Sequence, residues 1–138
     1  CISERHLSAC YRQGLDALTA ARLLPGYDGR AVYADLGIER LLVPLAGRPD
    51  SAEYVRALLE PLLAHDRLHG TDYCRTLEAI LAAADLRAAA AVLGIHHKTA
   101  MFRRNRIQDI LQVSLNDAHA RIGLATALLL YRLGGGKP

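Results

Sequence analysis

Five cationic side chains are concentrated in one short part of this sequence. Between Leu86 and Gln108 there are five Lys or Arg residues and no Asp or Glu. Of the 17 basic residues this leaves 12 elsewhere, against 14 acidic residues, so the rest of the chain has a net charge of −2. A patch of one sign indicates an anionic partner that docks on this segment. The alternative, a solvated helix face, usually carries both signs.

The order of residue types around these cations predicts a helix-turn-helix. Asp85 can cap a short helix over Leu86–Leu93, and Gly94 suits a turn that needs positive φ. A second helix is predicted over His97–Leu111. Ala89 and Ala90 are small enough for two helices to cross closely. In such a motif the second helix enters the major groove of DNA, and we therefore expect double-stranded DNA as the partner.

The side chains expected to contact DNA lie near the start of the second helix and up to two turns along it. Lys98, Arg103 and Arg106 can neutralise phosphates, and Lys98 or Arg103 can also bond a guanine. Thr99 can bond a phosphate, and Phe102 can contact a thymine methyl. The full set of predicted DNA-binding residues is His96, His97, Lys98, Thr99, Phe102, Arg103 and Arg106.

The rest of the chain predicts further helices. Apolar residues three and four apart, from Leu7 to Leu24, predict an amphipathic helix over Ser3–Leu24, and a short helix is expected over Leu36–Leu45. Arg30–Ala34 is compatible with a single strand, whose partners would have to lie outside this chain. This strand would make the N-terminal part a small α/β remnant.

After the loop of Gly and Pro at 46–50, the pattern is helical to the end. Ser51 is a candidate N-cap, and Pro61 is expected to break this helix at Glu60 and restart it. Thr71 is expected to cap the next helix. A last helix, Ala118–Leu133, contains too many Leu residues to be fully exposed. The predicted fold class is all-α, a helical bundle with a helix-turn-helix, and the predicted domains are 1–48 and 49–138.

Composition restricts the class of protein. The sequence is 51% hydrophobic and 22% charged, which excludes a disordered chain, and no apolar run is long enough to span a membrane. The three cysteines are odd in number and form no CxxC pair, which favours a reducing, cytoplasmic location. The polar start lacks Met, which indicates a fragment of a longer protein.

Residues Leu59–Leu133 resemble the C-terminal helix-turn-helix domain of the PucR/CdaR group of bacterial transcription regulators, which govern purine or sugar-diacid use. Besides the Ala-rich helix, the resemblance is carried by Leu62-Leu63-Ala64-His65-Asp66, Gly70-Thr71-Asp72, Thr76-Leu77, Leu93-Gly94-Ile95-His96, Thr99, Arg106-Ile107 and Tyr131-Arg132-Leu133. Residues 18–45 resemble the end of the GGDEF-like domain that precedes it in such regulators. The resemblance implies sequence-specific DNA binding and an upstream region, absent here, that senses a small-molecule effector.

Two positions of the second helix depart from that group. Ala100 and Arg104 stand where the group usually has Leu, and both positions face the core in its pattern. Arg104 would have to extend its head group to solvent, or the helix would rotate and turn Met101 and Phe102 inward. We also expect homodimerisation, through the first or the last helix, because paired half-sites supply affinity that one motif lacks.

Other residue sets do not indicate enzyme chemistry. His65 and His69 have a metal-compatible spacing, but no third ligand is evident. No Ser/His/Asp set and no phosphate-binding glycine loop occurs in the sequence, and we therefore expect neither catalysis nor a cofactor nor a metal. The alternative function is a helical protein-interaction module whose basic face meets an acidic partner.

Overall fold

The computed structural model describes residues 4–27 and 29–136, and seven α-helices account for most of them. No strand forms within those ranges. The helices are α1 (Glu4–Leu23), α2 (Glu39–Leu42), α3 (Pro49–His69), α4 (Tyr73–Ala82), α5 (Leu86–Leu93), α6 (His97–Leu111) and α7 (Ala118–Leu133). Short 3-10 turns cover Tyr33–Asp35 and Val43–Leu45. The all-α prediction is confirmed.

The strand considered at Arg30–Ala34 is not formed. Val32 has an extended backbone, but Tyr33–Asp35 turns into a 3-10 helix, with Asp35 N donating to Val32 O over 2.9 Å. A lone extended segment would leave its backbone groups without partners, and a local turn satisfies some of them at once. The α/β character expected of this part is therefore wrong for the described residues.

Among the described residues, one compact unit comprises those up to Ala52 and those from Leu129 onward, and the second comprises Glu53–Leu128. In the first unit α1 contacts α2 and both 3-10 turns. These neighbours bury Ala17, Ala20 and Ala21, all on the C-terminal half of α1. The apolar stripe predicted for α1 is therefore buried only at this end. Its remaining members stay exposed: Leu7, Cys10, Tyr11, Leu15 and Leu18.

The second unit is built around α4, α5 and α6, which pack against one another. Its largest fully buried side chains lie on α3, α4 and α6 and in the loop before α7: Leu59, Leu62, Cys74, Thr76, Leu77, Ile107 and Leu115. On α3, Tyr54 donates its hydroxyl to the carbonyl of Gly123 on α7 over 3.2 Å. The apolar face of α7 includes Leu124 and Leu128, both buried, as its composition predicts.

Helix α3 is continuous where a break was expected. It begins at Pro49, not after Ser51, and passes through Pro61 to His69. Proline at the first helical position costs no hydrogen bond, since that N–H has no partner in any helix. Pro61 does remove one backbone bond, and burial of Leu59 and Leu62 on either side of it outweighs that loss.

None of the helices in the described ranges combines the length and the apolar character needed to cross a membrane.

The turn between α5 and α6 should depend on glycine. Gly94 has φ +66°, and a Cβ there would meet no atom within 4 Å, so Gly94→Ala would be opposed by backbone strain alone. We expect a loss of about 1–2 kcal/mol in the free energy of unfolding, measured in urea. Gly14→Ala is the control, because Gly14 lies in open space within α1 without a positive φ; it should stabilise by about 0.5–1 kcal/mol. An unchanged midpoint for Gly94→Ala would contradict the strained turn.

Candidate nucleic-acid interface

The two helices of the candidate motif have well-defined ends. Asp85 caps α5, accepting from Ala88 N over 2.8 Å. Gly94 ends α5 in the left-handed conformation, and Ile95 N donates to Ala90 O over 3.0 Å. Gly94 N also donates to Ala91 O over 3.1 Å, and these two bonds turn the chain directly into α6. The capping and turn predictions for this segment are confirmed.

His96 caps α6 with its ring. The Nδ1 atom accepts from the backbone N–H of Lys98 over 3.2 Å, which requires a tautomer with a free lone pair on that nitrogen. The ring is exposed at the helix N-terminus, while the neighbouring His97 is half-buried. His96 therefore has a structural task that the sequence pattern did not indicate.

Helix α6 has one buried side and one exposed side. Ala100 and Ile107, seven residues apart and so on the same side, are completely buried. The opposite side carries exposed side chains, which we call the outer face: Lys98, Thr99, Met101, Phe102, Asn105, Arg106 and Asp109. Met101 is 43% and Phe102 60% exposed, so the helix has not rotated to turn them inward.

Arg104 stands at a position that was expected to face the core, and its side chain extends away from the core. Its Nη2 donates to the Asn116 side-chain oxygen over 2.5 Å in the loop after α6. In the same loop, Leu115 N donates to Oε1 of Gln108 over 2.8 Å, which ties the end of α6 to the start of α7. Ala100, the other position expected to face the core, is fully buried.

Arg103 is held within the domain. Its Nη1 donates to the Asp72 carboxylate over 2.6 Å and to the Thr76 hydroxyl over 3.1 Å. The Arg103 side chain is 24% exposed, and Thr76 is completely buried. Arg103 therefore braces α6 against the first turn of α4, an ion pair that the sequence analysis missed because its partners are 27 and 31 residues apart.

The first turn of α4 is also fixed from α3. Asp66 accepts from the backbone N–H groups of Tyr73 and Cys74 over 2.9 and 2.8 Å, and from the Thr71 hydroxyl over 2.5 Å. Asp72 occupies the N-cap position but makes no side-chain cap bond. Asp66, and not Thr71, thus caps α4, although Asp66 lies seven residues before Tyr73 and eight before Cys74.

The structure brings four of the seven predicted DNA-binding residues onto the outer face and sets the others apart. Lys98, Thr99, Phe102 and Arg106 belong to it. The outer face also contains Met101, Asn105 and Asp109, which were not among the predicted residues. The spacing of Met101 from Lys98 and of Asn105 from Phe102, three residues each, was already visible in the sequence.

The rings of His65 and His69 stack on each other. Their ring centroids are 4.2 Å apart, and Tyr73 also stacks on His65 with a centroid distance of 5.2 Å. Within residues 4–27 and 29–136 no group of three His, Cys, Asp or Glu is placed to hold a metal ion.

Comparison with known proteins identifies the motif. Residues 73–130 match the model of the PucR C-terminal helix-turn-helix domain, which spans α4 to most of α7. The chain is 29% identical over 128 residues to the proline-responsive transcriptional activator PutR of Bacillus subtilis (strain 168). That match covers 91% of this chain and 31% of PutR, so the chain spans about a third of the relative's length. No solved structure matches the chain. Residues 73–130 are therefore similar to the PucR C-terminal helix-turn-helix domain.

The brace between Arg103 and Asp72 should be measurable as a coupling energy. Because the pair is partly exposed, we expect Arg103→Ala and Asp72→Asn to share an interaction of about 0.5–1 kcal/mol in a double-mutant cycle followed by urea unfolding. Asp109→Asn removes an exposed acid from the same helix and should change stability by less than about 0.5 kcal/mol. Strictly additive losses for the first two substitutions would mean that the brace contributes nothing in solution.

Proposed function

We propose that this PucR-type domain binds duplex DNA sequence-specifically and belongs to a transcriptional regulator, with the outer face of α6 in the major groove. The observation that carries the proposal is this face itself: a helix fixed at both ends presents unpaired cations on its exposed side. Lys98 and Arg106 are exposed and form no ion pair with other described residues. Phosphates would supply the anions that this arrangement lacks.

The proposed roles follow from position on the helix. Lys98 and the exposed His96 lie at the N-terminus of α6, where the helix dipole also favours a phosphate. Thr99 and Arg106 lie beside the central line of the outer face, where they can reach the sugar-phosphate backbone. His97, half-buried, contributes at the edge. Arg103, a predicted contact, acts in this proposal chiefly by holding α6 at its angle to α4.

The wider setting is proposed from the same comparisons. PutR is a transcriptional activator named as proline-responsive, and the chain corresponds to 31% of its length. The name of PutR agrees with a regulator in which a region upstream of the present chain senses a small molecule. We further propose that residues 49–138 are the DNA-binding domain and that residues 1–48 are the end of a GGDEF-like domain, the latter from the resemblance of residues 18–45 alone. Such a regulator acts on chromosomal DNA in the cytoplasm.

We also propose that the regulator works as a homodimer through α1. The apolar stripe of α1 stays exposed, with Leu7 at 67%, Tyr11 at 69% and Leu18 at 51%. Their spacings of four and seven place them on one side of the helix, a pattern that suits pairing with a second helix. The last helix is the weaker candidate because most of its Leu residues are buried.

DNA binding should show the salt dependence of counterion release. For random duplex DNA, log affinity should fall linearly with log salt, and Lys98→Ala should reduce that slope by about 1 while weakening all sequences alike. Arg56→Ala, an exposed cation on α3, is the matched control and should leave the slope unchanged. No binding at low salt by the folded chain would refute the proposal and favour the protein-interaction module.

The dimer surface can be tested separately. Tyr11→Glu places a charge in the exposed stripe and should shift sedimentation toward the monomer without loss of helix content, since Tyr11 is not part of the core. Glu in place of Ile122, which is 67% exposed on α7, is the matched control. If wild type sediments as a monomer at all concentrations, α1 does not mediate self-association.

A further inference from the structure

We propose that Asn105 reads an adenine in the major groove and that Phe102, one turn before it, contacts a thymine methyl. The preferred DNA site would then carry A·T pairs beneath the middle of α6. This inference rests on the proposed DNA binding and adds to it the base class that the domain selects.

Folding gives no reason for asparagine at position 105. Asn105 is exposed, and its side chain makes no hydrogen bond within residues 4–27 or 29–136. It is the ninth residue of a 15-residue helix, far from both ends. Asparagine is a poor helix former there and is favoured at caps and turns, where its amide can bond the backbone. An exposed helix interior normally carries a better helix former.

Folding does not explain the exposure of Phe102 either, which lies one turn before Asn105. It is 60% exposed, although an aromatic ring loses favourable burial when it faces water. Phe102 and Asn105 are three residues apart and therefore neighbours on the helix surface. Two adjacent residues that folding does not explain indicate a surface shaped for a partner.

The geometry of the outer face suits base contact at this point. Lys98, Phe102 and Asn105 follow one line along α6, with spacings of four and three. The helix rises about 10 Å over the seven steps from Lys98 to Asn105, or about three base-pair steps of 3.4 Å. Asp109 continues the line and is exposed. Its carboxylate would be repelled by phosphates, so Asn105 is the last residue of this line that can enter the groove.

The hydrogen-bonding groups match adenine. The carboxamide oxygen of asparagine accepts from the adenine N6 amino group, while its NH2 donates to N7. Thymine presents a methyl group in the same groove, and an apolar ring packs against it. Arg103, one of the two side chains expected from the sequence to bond a guanine, is instead bonded to Asp72 and Thr76.

The test is selection of bound duplexes from a random pool by the whole chain, followed by affinities for the selected site and its single-base variants. Wild type should prefer A·T at one position by on the order of 5- to 150-fold over G·C. Asn105→Ala should abolish that preference at that position alone, while the salt slope and helix content stay unchanged. Replacing the contacted thymine with uracil should weaken wild type about fourfold and should not affect Phe102→Ala.

Arg87→Ala is the control, since it removes an exposed cation of α5. This substitution should lower the affinity for all DNA sites without changing the preferred base. If Asn105→Ala keeps the full wild-type preference, the inference is wrong and the proposed function stands. The inference also fails if wild type binds DNA with no base preference. Absence of DNA binding by the folded wild-type chain would refute the proposed function and this inference together.

Discussion

Close packing through alanine is the constraint on which the second unit depends. Ala89 and Ala90 on α5 and Ala100 on α6 are buried almost completely, with exposures of 0%, 3% and 0%. Where side chains are this small, the helix axes approach closely, and the direction of α6 is set by backbone contact more than by long side chains. Enlarging any of the three would separate the helices and tilt the outer face. The two buried alanines of α5 thus have a geometric purpose beyond helix propensity.

A polar junction at the start of α4 fixes the same geometry from outside the core. Asp66 of α3 satisfies two backbone N–H groups there, and Arg103 of α6 bonds Asp72 and the buried Thr76. Three helices therefore meet at one helix end whose N–H groups would otherwise lack partners. Alanine packing sets how near α6 lies, and this junction limits its rotation about the contact. Because these two sets of contacts fix the position of α6, the side chains of its outer face are not needed to hold the helix in place.

Local signals predicted α5, α6 and the last helix almost to the residue, because each has its own cap or turn residue: Asp85, Gly94 and Asp117. The sequence did not predict contacts whose two partners are far apart along the chain. Nothing local shows that Arg103 is held by Asp72, or that Asp66 caps α4. The same limit explains Pro61, where burial on both sides overrides a local helix breaker. For α1 the periodicity was correct, but it does not tell which part of an apolar stripe finds a neighbour.

The outer face contains the chain's only methionine and its only phenylalanine, at adjacent positions 101 and 102. A thioether exposed to 43% is open to oxidants, and conversion to the sulfoxide would place a strongly polar group in the middle of this surface. The methyl group of Met101 also gives a labelled sample a reporter signal on the surface whose partner is in question. The position of Met101 thus makes the outer face sensitive to oxidation and accessible to a spectroscopic probe.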